Sequence, residues 1–542
     1  MPAIETTRLR NVAFLSHSGA GKTVIAESML FATGAITRQG SVQEGTTASD
    51  YEPEEQRREA SVQTAIVQCM WRDHKINLLD TPGYADFRGE VVSAIRVTDA
   101  AVIVVAAPSG VEIGTQQMWR MADERGLPRL LFVNKLDREN TDFLRVLDSL
   151  SETFGRKCVA VQVAVGSETD FSAVVSLLDP KAEAPAGMEG QVEEARERLI
   201  EAVAEADDDL ATKYLEGEEI TSDEMVAGLR QGVATGGIVP VMAGAATIGV
   251  GTKELMDAIV DLLPSPAQSA AVTATDADGQ EVQLDGKADG PLAALVFKTS
   301  ADPFVGKLSY FRVYSGTFKS DTQITNATRD ESERVGHLFT MTGKDQEPVA
   351  ELAPGDVGAV PKLLSALTGD TLTDRGKTLL LPGFEFGAPV YQMAVYPASK
   401  ADLDKLTTAL ARICEEDPSL QLTRDPGTNE MLLGGLGDVH VDVAVEKMKR
   451  KFGVEVLQET PRVAYRETIS ISTKVEYRHK KQSGGHGQFG HVWLEIQPLE
   501  RGAGFEFDAK VVGGSVPREY IPSVQKGCRQ AIEDGVLADT PS

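Results

Sequence analysis

The sequence predicts a multidomain protein of mixed α/β and β architecture: an α/β domain with an inserted subdomain, a β-barrel, a ferredoxin-like α+β domain and a partial second α+β domain. Three observations predict it. The chain has 542 residues, and at about 150 residues per domain that length asks for roughly three to four domains. As far as Leu262, short apolar runs alternate with glycine loops and helical periodicity, which is how strands crossed by helices read. After Gly290 the pattern changes to short alternating strands with glycine turns, and after Val390 strands and helices alternate again.

Composition excludes several classes. Hydrophobic residues make up 42% and charged residues 25%, near the globular average and far from a disordered or fibrous chain. The longest apolar run, Ala100 to Pro108, falls well short of the ~20 residues of a membrane span. Met1 to Arg10 has no apolar signal core, and Cys69, Cys158, Cys414 and Cys528 lie too far apart for a disulfide framework or a local zinc cluster. A soluble, cytoplasmic protein with no membrane partner is expected. The net charge of −27 argues against nucleic acid at first sight. However, Val443 to Ser542 holds 15 basic and 13 acidic residues, against 39 and 68 in the preceding 442. A neutral to basic end on an acidic body can still meet RNA.

The run Val12 to Leu15 is followed by Ser16-His17-Ser18-Gly19-Ala20-Gly21-Lys22-Thr23 and then by apolar residues at helical spacing, Ile25/Met29 and Ala26/Leu30. Strand, glycine loop and helix in this order make a phosphate-binding P-loop, with Ser16 where the motif has its first glycine. Small residues let backbone N–H groups converge on phosphate oxygens. Lys22 then bridges the β- and γ-phosphates, and the Thr23 hydroxyl meets Mg²⁺. A hairpin, Ala65 to Trp71 and Lys75 to Leu79, ends in Asp80-Thr81-Pro82-Gly83. Asp80 suits a carboxylate supporting Mg²⁺, and the Gly83 N–H can sense a γ-phosphate. The buried run Ala101 to Ala106 and the strand Leu130 to Val133 lead to Asn134-Lys135-Leu136-Asp137. There a carboxylate can accept from guanine N1–H and its exocyclic amine, which adenine does not offer together. The three motifs in this order predict a GTP/GDP-binding domain.

At this point the sequence resembles the translational GTPases, most closely the elongation factor G family. Gly45 to Tyr51 and Glu54 to Val62 look like its first switch, and Asp80 to Phe87 with Glu90-Val91 like its second. Gly244-Ala245-Ala246 looks like the loop behind the guanine ring. The resemblance implies Mg²⁺ held by Thr23, Ser61 and Asp80, with Ser61 where the family has threonine. Tyr84 replaces the histidine that positions the attacking water, and Gly19 replaces a P-loop aspartate. A phenol donates one hydrogen bond but cannot become a cation near pH 7, so hydrolysis is expected to be slow. Lys22, Gly83 and Tyr84 are the candidate catalytic residues.

About 107 residues separate Asp137 from Gly244, more than one strand and one helix need. An insert over about 158–237 is expected, with an acidic helical stretch from Glu189 to Asp209; the resemblance implies that it faces the ribosomal stalk. A helix from Thr252 to Leu262 and the linker Pro264-Ser265-Pro266 close the first domain, 1–267. Asp276 to Gly290 reads as acidic and extended. Leu308, Tyr310, Arg312 and Tyr314 alternate before the turn Ser315-Gly316. Asp302 to Gly306, Arg312 to Gly316, Gly355 to Val357 and Thr368 to Leu372 resemble the translation-factor β-barrel, here 285–380.

Domain III, 387–463, reads β-α-β-β-α-β: Val390 to Tyr396, the helical face Leu403/Leu406/Leu410/Ile413, a hairpin around Asp425-Pro426-Gly427, the face Val441/Val445/Met448/Phe452, and Val454 to Leu457. Asp438 looks like an N-cap. In 464–542, Arg478 to His491 combines basic residues, Gly, Gln, three histidines and Phe489. Without acidic or Cys partners at ligand spacing this suits RNA rather than metal, and the resemblance places the loop at the tip of domain IV, near tRNA and mRNA. A helix is expected from Arg518 to Asp534. The match ends within this domain, so a C-terminally truncated product is expected.

The sequence thus predicts a monomeric GTPase that binds GTP with Mg²⁺ and docks on ribosomal RNA and proteins, in translocation or ribosome disassembly. The alternatives are a ribosomal-protection GTPase conferring antibiotic resistance and a poorly hydrolysing GTP-dependent regulator.

Overall fold

The computed structural model describes residues 4–179, 182–218, 220–302, 306–463, 465 and 467–533. Pro303, Phe304 and Val305 of the second-domain motif and Asp534 lie outside the described residues, as do the side chains of Ser483 and His486 at the expected tip. The chain forms two compact units, one of Met1–Gln392, Tyr396–Leu422 and Leu433–Leu457, the other of Met393–Val395, Thr423–Leu432 and Gln458–Ser542.

The first unit begins with β1 (Leu9–Ser16), β2 (Ala65–Trp71), β3 (His74–Asp80), β4 (Ala100–Ala106), β5 (Arg129–Asn134), β6 (Cys158–Ala160), a small hairpin β7 (Gln162–Val165) and β8 (Ala173–Ser176), and β9 (Val239–Ala243). Seven of them form one sheet ordered β2-β3-β1-β4-β5-β9-β6, parallel except for β2 against β3. Every residue of β4 is buried, because helices cover both faces of a parallel sheet. Val12 and Phe14 of β1 pack beneath α1 (Lys22–Ala32), while Ala13 and Leu15 face the opposite layer. That layer contains α3 (Arg88–Arg96), α4 (Ile113–Glu124) and α5 (Phe143–Phe154), and the short α2 (Pro53–Arg58) lies between α1 and β2 in the chain.

Cys158–Ala160, the first residues expected in the insert, close the main sheet as its edge strand. The acidic stretch expected as one helix is broken into α6 (Glu189–Glu205) and α7 (Asp208–Glu216), because the Asp207 side chain accepts the N–H groups of Asp209 and Leu210 and starts a new helix. Two helices follow, α8 (Ser222–Thr235) and α9 (Thr252–Leu262).

The second domain opens with a hairpin, β10 (Val272–Asp276) and β11 (Glu281–Leu284), where an extended acidic stretch was expected from Asp276. Asp276 Oδ1 accepts from the Asp278 and Gln280 N–H groups at 2.9 and 2.8 Å, folding the chain back on itself. β12 (Ala293–Asp302) and β13 (Gly306–Ser315) are the centre of an eight-stranded antiparallel sheet. β13 is buried without alternation from Leu308 to Ser315. Phe311 and Val313 face the domain's own core with Phe318 and Leu338, whereas Tyr310 and Tyr314 share a cluster with Leu79, Ala94 and Val97 of the first domain.

Polar groups line the same seam. Arg312 Nη2 meets Asp99 Oδ1 at 2.7 Å, and Lys75 Nζ meets both oxygens of Asp356 at 2.8 and 2.9 Å. Between them Asn77 donates to Asn11 Oδ1 and to Asp356, and Asn11 donates to Asp99, all within 3.0 Å. All six residues are buried.

Domain III contains α10 (Lys400–Glu416) and α11 (Asp438–Phe452) on a four-stranded sheet ordered Gln421–Arg424, Met431–Gly435, Tyr391–Pro397, Val456–Glu459, a ferredoxin-like arrangement. Leu406, Leu410 and Ile413 are buried as expected, but Leu403 is 57% exposed, one turn beyond the packed face. Asp438 is not the N-cap of α11. Gly437 takes that position, in extended backbone, because a Cβ there would lie 2.1 Å from Asp86 Oδ2; Asp438 is the first helical residue, where its charge suits the helix dipole.

In the second unit Thr473–Ser483 pairs antiparallel with His486–Ile496 around Gly484 and Gly485, both with positive φ. The Arg478 guanidinium lies 5.4 Å from the Phe489 ring centre, and His491 Nε2 lies 2.6 Å from Glu476. The expected last helix begins as a 3₁₀ turn, Arg518–Tyr520, before α12 (Ile521–Glu533). Among the described residues no helix is long and apolar enough to cross a membrane.

Removing one partner of a buried ion pair strands the other charge, at a cost of about 3–5 kcal/mol. Asp356→Ala is therefore expected to lower the urea midpoint of the first two domains, and the paired change Lys75→Met with Asp356→Leu to recover most of the loss. An unchanged midpoint in Asp356→Ala would show that the seam does not depend on this pair.

Candidate functional site

The three sequence motifs meet at the C-terminal ends of β1, β3 and β5, where open α/β sheets bind ligands. Gly19 and Gly21 have φ of 76° and 98°, values that side-chain-bearing residues rarely adopt, and Gly21 presses so close to Asn134 that a Cβ would lie 2.5 Å from its Nδ2. The chain then enters α1 with its first N–H groups free for an anion. Lys22 is buried, and its ammonium donates to Ser16 Oγ at 2.6 Å. The serine that departs from the glycine motif thus receives the lysine expected to bind phosphate. Burial pulls the Lys22 pKa down to about 8, against the pull of Asp80 and Asp50, so an anion placed here would be strongly favoured. The His17 side chain lies 3.5 Å from Glu112 Oε1 at the start of α4. No side-chain contact ties Ser18 to the site, although the Ser18 backbone lies against Gly83. The Ala20 carbonyl accepts from Asn134.

Thr23 Oγ1 donates to Asp80 Oδ2 at 2.9 Å and lies 3.3 Å from Ser61 Oγ. Asp50 joins them, hydrogen-bonded to Ser61 and Thr23. It belongs to the first-switch segment but had no role in the sequence reading. Asp80 Oδ1 is buried without a hydrogen-bond partner. Burial raises the pKa of both carboxylates, and the charge of Asp50 raises Asp80 further. Two hydroxyls and two buried carboxylates, one with an orphaned oxygen, fit a hard divalent cation that takes its other ligands from phosphate and water. Thr23 and Ser61 would hold Mg²⁺, with Asp80 and Asp50 supporting it.

Switch II leaves this corner tightly packed. Thr81 Oγ1 donates to Phe14 O at 2.6 Å, and Pro82 is buried. A Cβ on Gly83 would lie 2.8 Å from Ser18 backbone and 2.9 Å from Lys22 Nζ, so this position is flush with the phosphate loop. Tyr84 turns away. It is 46% exposed, and its hydroxyl has no hydrogen bond among the described residues.

The candidate base site combines backbone groups with the side chains of Asn134, Lys135 and Asp137. Asn134 Nδ2 donates to Ala20 O at 3.0 Å, and Asn134 Oδ1 accepts from Ala246 N–H at 3.1 Å. Lys135, at φ 67°, reaches Gly19 O at 2.6 Å. Leu136 N–H and Gly244 O are 3.3 Å apart, and Ala245 is fully buried. Asp137 Oδ2 accepts from Thr247, a residue the motif did not include, while Oδ1 is buried and unpartnered. A free carboxylate oxygen fixed by a neighbouring hydroxyl is the acceptor that a guanine N1–H and amine would need.

Switch I is held by more than the metal corner. Glu55 accepts the N–H groups of Val62 and Gln63 beside Ser61, and closes a capping box with Glu52. On α2, Arg57 and Arg58 pair with Glu446 of α11, and Arg450 of α11 pairs with Glu52 and Glu54. Switch II meets the same helix through Phe87, whose ring stands edge-on to His440 at 5.7 Å. His440 Nδ1 accepts from Leu436 N–H, so its Nε2–H faces Asp417, whose carboxyl is held down at about 2 against its burial by that contact.

Comparison with known proteins agrees with this geometry. Residues 7–265 match the elongation factor Tu GTP binding domain, 291–375 elongation factor G domain 2, 386–460 elongation factor G domain III and 461–542 elongation factor G domain IV. A crystal structure of ttk003000868 from Thermus thermophilus is 34% identical, with a TM-score of 0.85 over 99% of this chain and 79% of that chain. The chain belongs to the elongation factor G-like translational GTPases.

Proposed function

We propose that the protein hydrolyses GTP in the service of the ribosome, in translocation or in ribosome disassembly, as a monomer with Mg²⁺ as cofactor. The observation that carries the nucleotide is the buried, unpartnered Asp137 oxygen beside the Asn134–Ala246 bond; the ribosomal setting rests on family membership.

Lys22 and the N–H groups of the phosphate loop hold the phosphate charge, and the Gly83 N–H reports the γ-phosphate to switch II. Thr23 and Ser61, supported by Asp80 and Asp50, would hold Mg²⁺, which would supply neutralisation of phosphate charge. By the family resemblance Tyr84 takes the chain position of the water-positioning group, and its ring is 46% exposed with no hydrogen bond on its hydroxyl among the described residues. That observation also favours a second reading, a GTP-dependent regulator that barely hydrolyses. The basic ribbon around Arg478, Lys480, Lys481 and Phe489 would meet rRNA, tRNA or mRNA, and the acidic α6 and α7 the ribosomal stalk.

Single-turnover hydrolysis with and without ribosomes separates the readings. The turnover reading expects slow hydrolysis alone and strong stimulation by ribosomes; no stimulation would leave the regulator. Positioning groups contribute about 10²- to 10⁴-fold, so Tyr84→His is expected to raise the stimulated rate and Tyr84→Phe to lower it, and equal rates in all three proteins would remove Tyr84 from the chemistry. In equilibrium binding, Asp137→Asn is expected to weaken GTP and strengthen xanthosine triphosphate, whose base lacks the amine. Lys22→Ala is expected to cost about 1.5–3 kcal/mol of nucleotide affinity or more. An equal loss for both nucleotides in Asp137→Asn would count against the guanine assignment.

A further inference from the structure

One turn beyond Thr23, α1 presents Glu27, which is only 1% exposed. Its carboxylate is aimed at switch I rather than at the nucleotide. Oε2 accepts the Gly40 N–H at 2.9 Å, and Oε1 accepts the Ala48 N–H. Both bonds run from a buried carboxylate to partly buried N–H groups, and a carboxylate acceptor makes such contacts stronger than neutral ones.

The segment between these contacts is closed on itself. Thr46 N–H donates to Ser41 O at 3.1 Å, and Ser41 N–H to Thr46 Oγ1 at 2.9 Å. Gly40 is required by the close approach, since a Cβ there would lie 2.5 Å from Thr46 O and 2.8 Å from Glu27 Oε2. Ala48 is held from its other side by the second domain, where a Cβ on Gly343 would lie 1.9 Å from the Ala48 carbonyl oxygen. Two residues further on is Asp50, bonded to Ser61 and Thr23.

We propose that Glu27 is a positioning residue for GTP turnover: by clamping Gly40 and Ala48 to the helix that carries Lys22 and Thr23, it sets switch I where Asp50 and Ser61 complete the cation corner. The proposal rests on the GTPase reading above and deepens it. A nucleotide that needs switch I closed depends on the clamp, and one that leaves switch I open does not.

The test compares binding of GDP and of a non-hydrolysable GTP analogue, each with Mg²⁺, in the parent, Glu27→Gln, Glu27→Asp and Gly40→Ala, together with trypsin cleavage after the exposed Arg38. Glutamine keeps the shape but turns an amide N–H toward one of the two donors. The expected result for Glu27→Gln is GDP affinity within about twofold of the parent, analogue affinity lowered about tenfold or more, and loss of analogue-dependent protection at Arg38. Gly40→Ala should show the same split, because it presses on the clamp without altering the carboxylate. Glu27→Asp, which keeps the charge, should fall between. Parent-like discrimination in Glu27→Gln would overturn the proposal, and so would an equal loss for both nucleotides, which would make Glu27 a folding residue only. A parent that binds neither nucleotide would overturn the GTPase reading itself, and the proposal with it.

Discussion

The buried polar seam between the first two domains is the constraint on which the rest of the arrangement depends. Asn11, Lys75, Asn77 and Asp99 lie at the N-terminal ends of β1, β3 and β4, and they are gripped there by Arg312 and Asp356. The same strands end in Ser16 and Asp80, which belong to the candidate nucleotide site. One set of strands therefore carries the inter-domain bond at one end and the chemistry at the other. Burying charges is expensive, and the ion pairs and amide bonds of the seam answer most of its polar groups, leaving Asn77 Oδ1 and Arg312 Nε without partners among the described residues; the second domain thereby meets switch I at Gly343.

The motifs of the candidate site were legible because P-loops, DxxG and NKxD are local. Strand, turn and helix fix their geometry within eight residues or fewer, and composition alone signals it. Asp50, Glu27 and Thr247 were not legible in the same way. Each acts through a contact far away in sequence, and a single acidic or hydroxyl residue in a loop or on a helix has no spacing to betray it. In the fold, β-α-β-β-α-β of domain III followed from periodicity. The unbroken burial of β13 did not, because a strand with its own core on one face and another domain on the other loses the polar half of its alternation. Asp207, Asp276 and Asp438 show the same limit on a small scale. Whether an aspartate caps a helix, closes a turn or merely begins a helix is decided by which N–H groups the chain brings to it.

Charge has a similar history. The C-terminal hundred residues are slightly basic against an acidic body, yet part of that basic charge is spent at home. Arg450 and Lys451 of α11 pair with Glu52, Glu54 and Glu416. Exposed basic residues remain on the ribbon, at Arg478, Lys480 and Lys481, and beyond it at Arg501, Lys510, Arg518, Lys526 and Arg529. The pairing also means that switch I, the segment most exposed to the state of the nucleotide, is bonded to a helix of domain III through several charged groups at once.

The linker after α9 adds a mechanical consequence. Its Pro266 packs so closely on Gly355 that a Cβ there would lie 2.6 Å away, and Gln268 ties back to Ser265. Prolines restrict the backbone, and paired strands advance about 3.3 Å per residue with little give. The first two domains are thus joined twice, through a closely packed linker and through the seam. The joint at α11 is of the same kind, since Glu52, Glu54, Phe87 and His440 are buried there, and parting it would leave carboxylates without partners in a dry interior.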